Sequence, residues 1–241
     1  LEILIAGCGT GQQSVCTSTR FKNAKILAVD LSLSSLAYAK RKTEELGLKN
    51  IDYMQADILD LGNIIKKFDI IECTGVLHHM DEPIEGWKVL IDCLKPGGLM
   101  KIGLYSKLAR QHIVKIRDEI ALLGLKADDV EIRAFRQEII NSPKEHHKTI
   151  TSSGDFYSMS ELRDLIFHVQ EHQFTLQKIQ SCLDSLGLKF CGFEDLQTIQ
   201  KFQESNPEPN DPYDLDKWGI YEKNNPRVFS GMYQFWCQKV G

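Results

Sequence analysis

Apolar positions in the first hundred residues fall into short runs separated by amphipathic stretches. Runs at 1–6, 25–29, 51–56, 68–73 and 99–105 have the length and β-branched content of buried strands. Between the fourth and fifth, Ile84, Trp87, Leu90, Ile91 and Leu94 recur at helical spacing. Lys95, Pro96, Gly97 and Gly98 then predict a helix stop followed by a turn. Strands alternating with helices predict an α/β fold with a parallel sheet. Right-handed crossovers in such a sheet place a ligand at the carboxyl ends of the strands.

After residue 106 the pattern is less regular. Helices are predicted over 107–123, ended by Gly124, and over 128–140, stopped by Asn141, Ser142 and Pro143. A third begins at Ser158 or Ser160 as cap and runs to Glu171; a fourth spans 176–186 and ends at Gly187. The stretch 145–157 is polar and reads as loop, and 204–212, with three prolines, reads as linker. Strands six and seven are expected at 188–193 and 231–238.

The first run ends in Ala6, Gly7, Cys8, Gly9, Thr10 and Gly11, and the second ends in Asp30, 19 residues after Gly11. Glycines let the backbone approach a ligand, and a carboxylate at the end of the next strand accepts hydrogen bonds from ribose hydroxyls. The pair therefore points to a nucleoside-bearing cofactor. Dinucleotide sites use G-x-G-x-x-G and aim a helix N-terminus at a pyrophosphate. Here the spacing is G-x-G-x-G, with Gln12 in the place of the third glycine, which favours a cofactor without phosphate.

With Val29-Asp30-Leu31, Ala56-Asp57-Ile58, Phe68-Asp69-Ile70, Val76-Leu77-His78-His79 and the Leu94–Gly98 stop in the same order, residues 1–106 resemble the class I S-adenosylmethionine-dependent methyltransferases. The resemblance implies a Rossmann-like, seven-stranded, mostly parallel sheet with helices on both faces and a helical insertion between strands five and six. It implies S-adenosyl-L-methionine as cofactor. Ala6, Gly7, Cys8, Gly9 and Gly11 would line its methionine part. Asp30 would hold the ribose and Asp57 the adenine amino group, with Leu31 and Ile58 flanking the ring. Cys73 and Thr74 would lie near the methionine moiety. The implied organisation is a cofactor-binding core over 1–106, a helical substrate cap over 107–186, and C-terminal strands over 187–241 completing the sheet. After strand four the chain has Cys73-Thr74-Gly75-Val76-Leu77 and not the Asn/Asp-Pro-Pro-Tyr element of many amino-group methyltransferases. The implied acceptor is therefore a small polar molecule offering oxygen, carbon, sulfur or amine nitrogen; a protein acceptor is also compatible. Two departures stand out. Ile5 occupies the position where the family usually carries an acid that helps fix the cofactor's ammonium. Residue 1 is Leu and already lies in a strand, so a preceding segment, up to a whole N-terminal domain, is expected.

Net charge is −4 and the pI is about 6.0, with no basic stripe, which disfavours nucleic acid as a partner. No apolar run is long enough for a bilayer, so no membrane partner is expected. Seven cysteines form no C-x-x-C pair and read as reduced thiols of a cytoplasmic protein.

Three constellations carry further chemistry. His78 and His79 sit just past strand four, where a neutral imidazole can accept a proton near pH 7; the competing reading is a helix cap and a packed ring. His168, Glu171 and His172 match H-x-x-E-H, an inverted zinc-protease pattern. Zinc would need a third protein ligand, which no spacing supplies, so no metal is assigned. The same three, with Tyr157 and Arg163, are candidates for a substrate pocket. Their alternative is a paired polar helix face. Rival functions are a non-catalytic cofactor-binding module, a NAD-linked oxidoreductase using Asp30, and a metal hydrolase on the H-x-x-E-H helix.

Overall fold

A computed structural model describes residues 1–63, 66–167 and 171–240. Seven strands form one sheet: β1 (Glu2–Ala6), β2 (Lys25–Asp30), β3 (Ile51–Gln55), β4 (Phe68–Thr74), β5 (Leu94–Leu104), β6 (Leu188–Phe193) and β7 (Tyr233–Lys239). Their spatial order is β3-β2-β1-β4-β5-β7-β6, parallel except for β7, which runs antiparallel to both neighbours. The chain leaves β1 for β2 on one side and returns to β4 on the other. The carboxyl ends of β1 and β4 therefore flank the point where the strand order reverses, the standard ligand crevice of open α/β sheets.

The first half follows the sequence pattern closely. Helix α1 (Gln12–Arg20) follows β1, α2 (Leu33–Glu45) follows β2, and α3 (Pro83–Cys93) follows β4. Ser32 caps α2 by accepting from the Ser35 amide, and Pro83 opens α3, where its missing N–H costs nothing. The Lys95–Gly98 segment differs from expectation. It is not a turn ahead of the strand: β5 already starts at Leu94, which pairs with Phe68 before a register shift.

Period-two alternation sends Leu4 and Ala6 to one face of the sheet and Ile3 and Ile5 to the other. The first face carries the main core, with Trp87, Leu90, Met100, Ile102 and Phe235 wholly buried.

Between β5 and β6 lie α4 (Gln111–Leu123), α5 (Asp129–Asn141), α6 (Glu145–Ile150), α7 (Met159–Phe167) and α8 (Leu176–Ser185). Helices α4 to α7 share a separate hydrophobic cluster of Ile113, Ile116, Ile120, Ile132, Phe135, Ile139, Ile150, Phe156, Leu162 and Ile166. Helix α8 does not join it: Leu176, Ile179, Cys182 and Leu183 pack into the sheet core. The insertion's own core thus ends well before residue 186. The polar 145–157 stretch is α6 plus a 3-10 turn at Gly154–Tyr157 rather than loop, held by buried Ile150 and Phe156. The third predicted helix stops at Phe167, and its expected continuation over 168–170 lies outside the described residues. After β6 come α9 (Leu196–Ser205) and α10 (Leu215–Asn224), with the proline-rich linker between them folding into a short 3-10 turn at Asp211–Tyr213.

Candidate functional site

The glycine turn is locked to the end of β2. The amides of Gly7 and Cys8 both donate to the Val29 carbonyl at 2.9 Å, and the Gly9 amide donates to Asp30 Oδ2 at 2.7 Å. Asp30 Oδ1 accepts from the Ser32 amide at 2.9 Å. Asp30 therefore supports the turn at the carboxyl end of β2. Gly7 has φ +78°, and a Cβ there would stand 2.2 Å from Val76 Cγ2. At Gly9, with φ +51°, a Cβ would meet nothing within 4 Å. The first glycine is required by packing against the β4 exit. The second faces open space, as a cradle for a ligand requires.

Asp57 accepts from the Leu59 amide at 2.9 Å and opens a 3-10 turn at Ile58–Asn63. Leu31 is exposed, as a residue flanking a bound ring would be, whereas Ile58 is buried in the main core. Cys73 and Thr74 end β4, and burial pushes the thiols of Cys73 and Cys8 up to about 12. These sulfurs are neutral packing groups.

His78 and His79 lie in a 3-10 turn at Leu77–His79, directly past β4. Neither caps α3, whose N-cap is Glu82. His78 is fully buried, its ring 3.9 Å from that of Tyr105 and 4.3 Å from that of His79. The half-buried His79 is the more accessible of the two.

A cavity of about 730 Å³ opens between the carboxyl end of β5 and the inserted helices. Its walls come from Tyr105, Arg110 and His112 on one side, His146, Thr149 and Asp155 on a second, and Arg227 and Met232 on a third. Met232 links it to the sheet edge: its methyl lies 3.9 Å from the position of a Cβ at Gly75.

Among the described residues, the substrate residues expected from the sequence, Tyr157, Arg163, Glu171 and His172, are not its walls. Tyr157 is exposed and donates its hydroxyl to the Thr151 carbonyl at 3.0 Å. Arg163 pairs with Asp129 and donates to the Ala127 carbonyl at 3.2 Å, spanning α5 and α7. Glu171 is buried between two arginines, accepting from Arg110 Nε at 2.9 Å and Nη2 at 2.8 Å, and from Arg117 Nη2 at 2.9 Å. Burial raises its pKa, but the two guanidiniums outweigh that and hold it below the usual carboxylate range. His172 gives its backbone amide to the His78 carbonyl at 2.7 Å. His168 lies outside the described residues. Glu171 and His172 lie outside any helix, so the expected run to Glu171 is not seen there, and the Glu171 carboxylate is committed to arginines rather than free for zinc chemistry.

A different trio does converge. Glu119 of α4 takes His146 Nε2 and His147 Nε2 at 2.8 Å each, and Lys144 Nζ at 2.8 Å. Burial raises the Glu119 pKa, but these three partners overcome it and hold the carboxyl at about 2. Burial lowers His147 despite its carboxylate partner, and burial also lowers His112. The signs agree. A His depressed in the fold contributes stability above its unfolded value of about 6.5, and that stability is lost as pH falls below it. A depressed Glu contributes above about 4.5 and is lost toward 2. Amide protection in α6, corrected for the intrinsic exchange rate at each pH, is therefore expected to fall in two steps on acidification, the first beginning near pH 6.5. Protection that stays flat between pH 7.5 and 5 would remove the histidine part.

Residues 3–98 match the family model described as a methyltransferase domain. An uncharacterised protein of Synechococcus is 29% identical over 231 residues, covering 91% of this chain and 55% of that protein. A ubiquinone biosynthesis O-methyltransferase of Rickettsia canadensis is 26% identical over 176 residues, covering 73% of this chain and 70% of that enzyme. Among solved structures, PKMT2 from Rickettsia typhi in complex with AdoHcy superposes with a TM-score of 0.71 at 19% identity, covering 98% of this chain and 48% of that one. The chain thus spans about half the length of the first two of these relatives that it matches nearly end to end.

Proposed function

We propose that the chain, whose residues 3–98 match a methyltransferase domain, is a class I S-adenosylmethionine-dependent methyltransferase that transfers the methyl group to a polar acceptor seated in the cavity beside Tyr105. The observation that carries this reading is the adjacency of two features at one sheet edge. A glycine turn with an open face at Gly9 lies at the end of β1, and a polar cavity lies at the end of β5.

When bound, S-adenosylmethionine supplies a methyl group already activated by the sulfonium. The protein's own share is alignment and exclusion of water. In this reading Gly7 to Gly11 seat the methionine part, Asp30 takes the ribose hydroxyls, and Asp57 faces the adenine, with Leu31 against the ring. Inserted helices α4 to α7 close the acceptor side, so residues 107–173 act as the cap. Among the cavity walls, His112 and His146 are the candidate bases for an acceptor that must lose a proton. His79 is the candidate on the sheet edge. The cavity offers cations from Lys115 and Arg227 and anions from Glu145 and Asp155, which suits a polar acceptor over an apolar one. The O-methyltransferase name of the Rickettsia canadensis relative favours oxygen as the accepting atom.

S-adenosylhomocysteine at 100 times its dissociation constant is expected to add about 2.7 kcal/mol of stability, read as a rise in Tm. No shift at millimolar ligand would overturn the cofactor assignment. Binding without transfer from labelled methyl donor to any acceptor in a broad screen would instead favour a non-catalytic binding module.

A further inference from the structure

Glu72, in the middle of β4, is 1% exposed, and among the described residues no cationic group lies within ion-pair distance of it. Its two donors are neutral. Gln13 Nε2 stands at 2.6 Å and Thr17 Oγ1 at 2.7 Å, both from α1. Lys101 is its register partner on β5, but that ammonium reaches the other way, to Glu194 at 3.2 Å. A buried carboxylate served by two neutral donors is incompletely compensated. An arriving cation would complete that compensation.

Its position says which cation. On the other side Glu72 is in register with Ile5 of β1. Ile5 lies two residues before Gly7, and Glu72 two residues before Thr74, the last residue of β4. The charge therefore sits one layer below the glycine turn, at the height where Ile5 itself offers nothing polar.

Gln13 carries the charge outward. A carboxylate only accepts, so Gln13 must turn its NH₂ toward Glu72, and its carbonyl oxygen then points away. Gln13 is half-buried, two residues past Gly11. The result is an oriented acceptor at the rim of the turn, with a full negative charge behind it.

We propose that Gln13 Oε1, held in place by Glu72, accepts a hydrogen bond from the primary ammonium of the bound cofactor's amino-acid part. Gln13 is the binding residue and Glu72 a positioning residue. The proposal rests on the S-adenosylmethionine reading given above.

The test uses two ligands that share adenosine and a thioether. S-adenosylhomocysteine carries the ammonium, and 5′-methylthioadenosine does not. By calorimetry, Glu72→Gln is expected to weaken S-adenosylhomocysteine about tenfold, the loss of one charge-assisted hydrogen bond. It should leave 5′-methylthioadenosine within about twofold. Gln13→Met, at a half-buried helix position that keeps side-chain length, should reproduce the same split without touching the buried carboxylate. Equal losses for both ligands, or no loss for either, in Gln13→Met would overturn the seat and leave Glu72 as a tie between α1 and β4. Wild-type protein that binds neither ligand would overturn the cofactor reading, and this seat with it.

Discussion

Glu171→Ala is expected to cost about 3–5 kcal/mol of folding stability, the range for breaking a buried ion pair from one side. The carboxylate is 1% exposed and answers two guanidiniums, with Arg110 bound through a bidentate fork. Arg110 is itself 5% exposed, and its guanidinium carbon lies 3.7 Å from the centre of the Tyr105 ring. Removing Glu171 leaves that cation buried on an aromatic face with no anion. Because Arg110 and Tyr105 are cavity walls, acceptor turnover should fall with stability, while affinity for S-adenosylhomocysteine, proposed to sit over the glycine turn and the end of β2, should change little. Urea denaturation gives the first quantity and calorimetry the second. A stability loss under about 1 kcal/mol would show that the arginines find water or other partners, and that the trio is not a structural keystone of the cap.

The second large effect separates two neighbouring glycines. Gly7→Ala places a methyl 2.2 Å from Val76 Cγ2 in a backbone with φ +78°. The left-handed conformation costs roughly 1–2 kcal/mol and the overpacking about 1–3 kcal/mol more, so the fold itself should be damaged. Gly9→Ala incurs only the conformational part, since its methyl meets no protein atom within 4 Å. A ligand occupying that open side would meet it instead. Gly9→Ala should therefore fold, with a Tm lowered by a few degrees, and bind S-adenosylhomocysteine far more weakly. Unchanged affinity in Gly9→Ala would mean that the cofactor does not lie over the turn.

The sheet was largely legible because its strands announce themselves by short apolar runs bounded by glycine, proline or a carboxylate, although β5 begins five residues before its run. Helix α1 was harder: its buried face is Ser14, Thr17 and Ser18, so the helix is recognised only by what precedes it. The 145–157 stretch failed as a loop because two apolar residues, Ile150 and Phe156, are enough to anchor it once α4 and α5 supply the other half of their pocket. The candidate acceptor site was the least legible part. Its walls come from the start of α4, from α6 and from the segment before β7, which are far apart in sequence, and no motif joins Tyr105 to Arg227. The polar residues that looked like a pocket, Arg163 and Glu171, have spent their charge on Asp129 and on the two arginines. A charged side chain read from sequence shows what it could bind and never what it already holds. Glu72 was hidden for a related reason. One acid in an apolar strand carries no spacing signal, and only the register with Ile5 places it under the glycine turn.

The inserted helices leave and return through a single neck. Phe174 gives its amide to the Tyr105 carbonyl at 2.9 Å, the Lys107 amide returns the bond to the Phe174 carbonyl at 2.8 Å, and Ser106 bridges Phe174 in parallel. Everything between 107 and 173 is thereby a closed excursion whose two ends are fastened to each other. The entropy of closing such an excursion grows only with the logarithm of its length. The neck makes the cap a replaceable part. On the proposed reading, the helices beside the acceptor can be exchanged while the cofactor half stays as it is, and an engineer who cuts between Ser106 and Phe174 inherits the same freedom.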